Sequence, residues 1–236
     1  MGSAAAPVTP TSAAAHVFVD DLDAPRLAPA DHHHLARVLR LAPGRAVTVG
    51  DGAGRWRAAA LTGSEELDAP GPVVVDPRPE PAITVAFALV KGERPELVVQ
   101  KLTELGADRI LPFVAERSVV RWAPDRAARQ EERLRAIARA AAMQCRRTWL
   151  PEVAGVATFA DVAALPGAAL ADPGGAAPSL ATTAVLVGPE GGWSPAEQAC
   201  DLPRVRLGAH ILRAETASIT ACALLAALRD KVVTNT

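Results

Sequence analysis

Two short segments near the C-terminus concentrate residue types that could do chemistry. The first is Val185-Leu186-Val187-Gly188-Pro189-Glu190-Gly191-Gly192-Trp193, an apolar run that ends in a glycine- and proline-rich turn around one carboxylate. The second, Leu207-Gly208-Ala209-His210-Ile211-Leu212-Arg213-Ala214-Glu215-Thr216-Ala217, again places a glycine after an apolar run and follows it with an arginine and a carboxylate. Each reads as a buried strand, a turn and a helix start, the arrangement in which an α/β protein lines a small-molecule site with backbone amides. Ser194-Pro195-Ala196-Glu197 is a capping box with proline at the first helical position. The first turn is therefore expected to sit at a helix N-terminus, with outward N–H groups able to hold an anion or a polar ligand edge. It is not a phosphate loop, because no Gly-Lys-Ser/Thr follows, and its glycine spacing is not that of a dinucleotide fingerprint. Taken alone, the second segment could be no more than Glu215 or Thr216 capping the last helix. Two such turns in one chain imply one site built from both.

Other chemistry-bearing patterns are weaker. Asp31-His32-His33-His34 does not read as a metal site, since neighbouring helical residues point in different directions and zinc needs three or four convergent ligands; no metal is expected. Trp56, Trp122, Trp149 and Trp193 read as packing residues. The net charge of −1 argues against binding nucleic acid through overall charge, so an RNA partner must be held by local clusters. Two exist: Arg37, Arg40, Arg45, Arg55 and Arg57, then Arg133, Arg135, Arg139, Arg146 and Arg147. Three widely spaced cysteines, Cys145, Cys200 and Cys222, read as reduced thiols, which suits a cytoplasmic protein. No apolar run is long enough for a membrane span, and the first residues lack a secretory signal pattern.

Positioning these residues requires a folded scaffold, and a chain of 236 residues, half of them apolar, can supply one or two real cores. Residues 1–15 read as a flexible tail. Residues 16–76 read as short strands with one helix: a strand at 16–19, a helix over 32–41 capped by Asp31 and stopped by Pro43-Gly44, a hairpin turning through Gly50–Gly54, and a strand at 73–75. The group suggests a small β-barrel. The proline-rich stretch 77–81 is a linker. From 82 to 236 strands alternate with helices, the pattern of a parallel sheet covered on both faces. Strands are expected at 83–90, 109–114, 168–170, 185–187 and 205–207. Helices are expected from Pro95 with Leu97, Val98, Leu102 and Leu105 inward, over 124–143 with Leu134, Ile137, Ala138 and Ala141 inward, and over 215–228.

The chain resembles the ribosomal RNA small subunit methyltransferase E family, in the knotted SPOUT class of S-adenosylmethionine-dependent methyltransferases. Five ordered blocks carry the resemblance: His34-Leu35-Ala36-Arg37-Val38-Leu39-Arg40-Leu41 with Pro43-Gly44; Lys91-Gly92-Glu93-Arg94 with Gln100-Lys101-Leu102-Thr103-Glu104-Leu105-Gly106; Glu116-Arg117-Ser118-Val119; Gln144-Cys145-Arg146-Arg147 before Pro151-Glu152; and the two turns. The chain departs from the pattern at Arg146, where the family has glycine, and at Met143, where glutamate is common.

The resemblance implies a PUA-like RNA-binding β-barrel at 16–76, then a SPOUT methyltransferase domain at 82–236 with a trefoil knot around a parallel sheet. It also implies a homodimer, S-adenosyl-L-methionine as cofactor, and methylation of uridine N3 in 16S small-subunit ribosomal RNA, free or in the 30S subunit. On that reading the cofactor is held by Leu186, Val187, Gly188, Glu190, Gly191, Gly192, Leu207, Gly208, Ile211, Leu212, Arg213 and Ala217. Ile211 and Leu212 pack on its ring, and the glycines let backbone approach closely. Arg213, Glu215 and Glu190 are the catalytic candidates, a carboxylate to take the N3 proton and an arginine to stabilise negative charge. Arg37, Arg40, Arg121, Gln144 and Arg147 are the RNA-binding candidates. Another RNA substrate (tRNA or another rRNA base) and a non-catalytic RNA-binding assembly factor stay open. A nucleotide hydrolase is disfavoured by the missing phosphate-loop lysine.

Overall fold

The computed structural model describes residues 7–92 and 94–233. The first six residues of the expected tail, and Glu93 of the second block, lie outside them. The chain divides into two compact units, one of residues 1–78 with 142–150 and one of residues 79–141 with 151–236.

In the first unit, β1 (His16–Phe18) runs parallel to β2 (Ala46–Gly50), which pairs antiparallel with β3 (Arg55–Leu61); β4 (Leu67–Asp68) and β5 (Val74–Val75) both pair with β3. The core is made by inward residues of these strands, among them Val17, Val47, Val49, Ala59 and Leu61, closed by Leu27 and Leu35. The stretch read as tail already takes part: residues 9–13 form a turn, Ala13 and Ala15 are buried, and the Ala14 amide donates to Ala46. The helix differs from expectation. α1 (Pro29–His33) starts earlier and passes into a π-helical turn at His34–Val38, with Ala28 at the N-cap, so Asp31 lies inside the helix and is buried. Proline at the first helical position sets this start, since its missing N–H costs nothing there.

Residues 142–150 belong to this unit because their side chains cover the β2–β3 turn. Gly52 and Gly54 have φ of +76° and +84°, and a Cβ on either would collide with Leu150 or the Trp149 indole. Arg146 has φ +66° and donates from Nη2 to the Ala14 carbonyl at 2.9 Å. The glycine that the resemblance leads one to expect at this position would have a physical reason: the backbone is left-handed, which glycine adopts freely and other residues at a cost.

The second unit is a parallel sheet. β6 (Thr84–Ala88), β7 (Arg109–Val114), β8 (Glu152–Val153), β9 (Ala157–Thr158), β10 (Ala168–Ala176), β11 (Ala184–Val187) and β12 (Arg204–Val205) stand in the order β12-β10-β11-β6-β7-β8, with β9 also on β7. Every pairing is parallel. Pleating sends alternate residues to opposite faces. Val85, Phe87, Ile110, Val185 and Val187 meet α2 (Arg94–Glu104), α3 (Pro124–Cys145) and α6 (Ala214–Arg229). Ala86, Ala88, Leu111, Phe113 and Leu186 meet α4 (Phe159–Ala163) and Trp193, which precedes the one-turn α5 (Pro195–Gln198). On α2 the inward set is Val98, Val99 and Leu102, while Leu97 is 42% exposed and not part of the stripe. At the amino ends of the strands, Asp108 accepts from the Ile83 amide and from Arg229 Nη1 at 2.7 Å, with both ionic side chains nearly fully buried.

Candidate active site

Chain order reverses across β6 and β11. From β6 the sheet grows outward through β7 and β8, while β11 fills the gap between β6 and β10. Loops leaving the carboxyl ends of such strands diverge and open a crevice. β11 is buried along its length and laddered to β6 and β10. It delivers the first turn to this end of the sheet.

That turn is braced from several sides. A Cβ on Gly188 would stand 3.0–3.2 Å from the Trp193 ring, and Gly192 has φ +69°. Both positions therefore need glycine for local reasons. Trp193 is buried, donates Nε1–H to Ala171 at 3.1 Å and stacks on Phe113. The capping box forms as expected: Ser194 Oγ accepts from the Glu197 amide and Glu197 Oε2 from the Ser194 amide, while Glu197 Oε1 accepts from the Glu116 amide at 2.8 Å. These bonds occupy donors that sequence reasoning left for a ligand, and the helix is a single turn, so α5 is a brace and not an anion site. Arg117 Nη1 donates to the Gly191 carbonyl at 3.3 Å.

The second segment leaves β12 and enters α6. Arg213 is the N-cap of α6 and makes no side-chain cap, so neither Glu215 nor Thr216 serves that purpose. Leu207 and Leu212 are half-buried against the main core. Gly208 is neither left-handed nor crowded, a Cβ there coming no closer than 4.0 Å to Leu212. Among the described residues nothing requires glycine at this point; close approach of a bound molecule to the backbone would. Gly208 lines an open cleft of about 440 Å³ with Ala177, Pro178, Arg206, Leu207 and Ala209, a volume suited to a small organic ligand. Ala177 and Pro178 escaped sequence reasoning, although they follow β10 at the same end of the sheet.

Arg94 joins the two segments. Its Nη1 donates to Glu190 Oε1 at 3.2 Å, and its Nε lies 3.7 Å from Glu215 Oε1. Glu215 Oε2 is buried without a hydrogen-bond partner. The sequence showed Arg94 within a family block but gave it no role; its place at the start of α2, past the end of β6, was the available signal.

The remaining candidates separate. Leu186 sits inside the ladder, paired with Leu170 and Ala86, and Ala217 packs in the core. Ile211, expected to pack on a ring, is 91% exposed. Val187 is buried; Glu190, Gly191, Gly192 and Arg213 are exposed around the site. Arg37, Arg40 and Gln144 are exposed and Arg147 half-buried in the first unit, while Arg121 is exposed in the second. The two basic clusters are not continuous surfaces. Arg57 is mostly buried, donating to the carbonyls of Leu22 and Gly71. Arg133 pairs with Glu96, and Arg135 donates to Val153.

An RNA methyltransferase domain family matches residues 77–226, and an RNA methyltransferase PUA domain family matches residues 27–69. The chain is 34% identical over 224 residues to ribosomal RNA small subunit methyltransferase E of Mycobacterium bovis, covering 84% of each protein. This chain belongs to that family. The Synechocystis member is 35% identical over 235 residues, covering 86% of this chain and 73% of that protein. Among solved structures, the family member from Neisseria gonorrhoeae bound to S-adenosyl methionine superposes with a TM-score of 0.77 at 26% identity, over 91% of this chain and 97% of that one. A methyltransferase from Legionella pneumophila in complex with the cofactor gives 0.76 at 26% identity, over 90% and 96%. The RNA methyltransferase family match spans both turns, Arg94 and the cleft at Gly208. Among the described residues no helix is long and apolar enough to cross a membrane.

Proposed function

We propose that this enzyme methylates N3 of a uridine in small-subunit ribosomal RNA, using S-adenosyl-L-methionine. The observation that carries the reading is the convergence of the two turns at the carboxyl ends of the parallel strands, with Glu190 and Glu215 on one guanidinium. The residues present fit the cofactor. The turn at Gly188–Gly192 offers exposed backbone, including the Gly191 amide and the Gly192 carbonyl, Leu207 and Leu212 offer apolar contact, and Gly208 leaves room for a ring to approach the chain. When bound, S-adenosyl-L-methionine supplies a methyl group on a sulfonium, which becomes a neutral thioether on transfer.

The protein's own task is to prepare N3. That nitrogen carries a proton at neutral pH, and its electron pair is available for the new N–C bond only as the proton leaves. Glu215 is the better-placed acceptor, because it stands at the head of α6 next to Arg213 and is the less exposed of the two carboxylates on Arg94. Arg213, exposed at the head of α6, stabilises the negative charge that spreads onto the uracil oxygens. Arg37, Arg40, Gln144 and Arg147 of the first unit and Arg121 of the second hold phosphate or base.

The reading extends to a PUA-like barrel over 16–76, a trefoil knot in the 82–236 domain, a homodimer, and action in the cytoplasm where ribosomes mature. Transfer of labelled methyl groups to small subunits lacking the modification, with nucleoside analysis, tests it. The expected product is 3-methyluridine; label on another nucleoside would move the substrate elsewhere.

A further inference from the structure

A cation at the head of a helix opposes the positive end of the helix dipole. Arg94 stands at the first position of α2, so local helix energetics do not call for arginine there. Its tertiary contacts do. Nη1 donates to Glu190 at 3.2 Å and Nε faces Glu215 at 3.7 Å. The two carboxylates differ in their surroundings: the Glu190 side chain is 46% exposed and that of Glu215 is 13% exposed. The Glu190 pair is partly exposed and the weaker of the two, but it ties the guanidinium to the glycine turn. Glu215 has left most of its hydration behind, with Oε1 beside the guanidinium and Oε2 buried and unpartnered. A mostly buried carboxylate is costly to keep charged unless a cation stands beside it, and Arg94 is the cation beside Glu215.

We propose that Arg94 is a positioning residue for proton removal. It lies beside Oε1 of Glu215 and so fixes the carboxylate at the head of α6, while Glu190 ties the guanidinium to the glycine turn. The N3 proton passes to the Glu215 carboxylate, and the electron pair left on N3 makes the new N–C bond as the methyl group parts from sulfur, which keeps the pair of the broken S–C bond. This assignment rests on the methyltransferase reading above. It also gives Glu190 a task distinct from that of Glu215: Glu190 acts through Arg94 and needs no contact with the substrate.

Single-turnover methyl transfer by wild type, Arg94→Met, Arg94→Lys, Glu190→Gln, Glu215→Gln and Arg94→Met/Glu215→Gln tests this, alongside cofactor titration and amide exchange of residues 188–192. Arg94→Met is expected to slow transfer by about 10- to 100-fold, a fraction of what a general base contributes, and to weaken cofactor affinity by a smaller factor. Arg94→Lys, which keeps the charge and loses the fork, recovers part of the rate. The double variant is no slower than Glu215→Gln alone, since both changes remove one function. Amide exchange in the glycine turn quickens in Arg94→Met and Glu190→Gln, a readout independent of RNA. Equal rates for wild type and Arg94→Met would overturn the assignment, as would a loss confined to cofactor affinity or a double variant slowed by the product of both single effects. A wild-type protein inactive on every RNA would overturn the methyltransferase reading and the assignment together.

Discussion

Gly188 and Trp193 are packed so closely that a single added carbon on the glycine would stand 3.0 Å from the indole. The indole cannot retreat, because it is buried, hydrogen-bonded to Ala171 and stacked on Phe113. Gly188→Ala is therefore expected to destabilise the second unit by about 1–3 kcal/mol, the usual cost of overpacking. Chemical denaturation with Trp fluorescence measures it, and the glycine turn should lose cofactor affinity in the same variant.

The buried pair Asp108–Arg229 joins the amino ends of the strands to the end of α6. Removing one partner strands the other charge, at a cost of about 3–5 kcal/mol. Arg229→Met should lower the midpoint of unfolding markedly. Activity per folded molecule at low temperature should change little, because the site lies at the opposite ends of the strands.

His16 is buried beside Thr48, and burial first, then the positive charge of Arg146, pushes its pKa from 6.5 down to about 4. The unfolded chain therefore binds a proton between these values that the folded chain refuses. Stability contributed by neutral His16 is complete above pH 6.5 and falls as the pH drops toward 4, by about 3 kcal/mol in all. Unfolding free energies of wild type and His16→Asn should converge as pH falls across that window. Parallel curves would contradict the assignment.

Arg146 occupies a left-handed backbone at φ +66°. Arg146→Ala keeps that strain and loses the bond to Ala14, whereas Arg146→Gly loses the same bond and relieves the strain. The glycine variant is expected to be more stable than the alanine variant by about 1 kcal/mol. Urea unfolding of the pair decides it.

What the sequence revealed was mostly local. The capping box Ser194–Glu197, the glycines of the β2–β3 turn and the buried run of β11 each carry their reason within a few residues. The two-residue strands β8, β9 and β12 offer no alternation to read. Leu97 was misplaced because it borders the apolar stripe of α2, where one helical position decides between core and solvent. Arg94 between Glu190 and Glu215, and the return of residues 142–150 to the first unit, are long-range meetings with no period or spacing to announce them. The glycine expected at Arg146 is an intermediate case, since the family pattern marked the position and the backbone angle explains it.

The central claim is that the two glycine-bearing turns form one cofactor site. Gly208→Ala tests it most directly, because the added Cβ meets nothing in the protein nearer than Leu212 at 4.0 Å and should leave the fold intact. Calorimetric titration with S-adenosyl-L-methionine should show binding to wild type and a loss of at least about tenfold, near 1.4 kcal/mol, in the variant, with an unchanged melting temperature. Equal affinity in the two proteins would contradict the claim and place the cofactor away from the second turn.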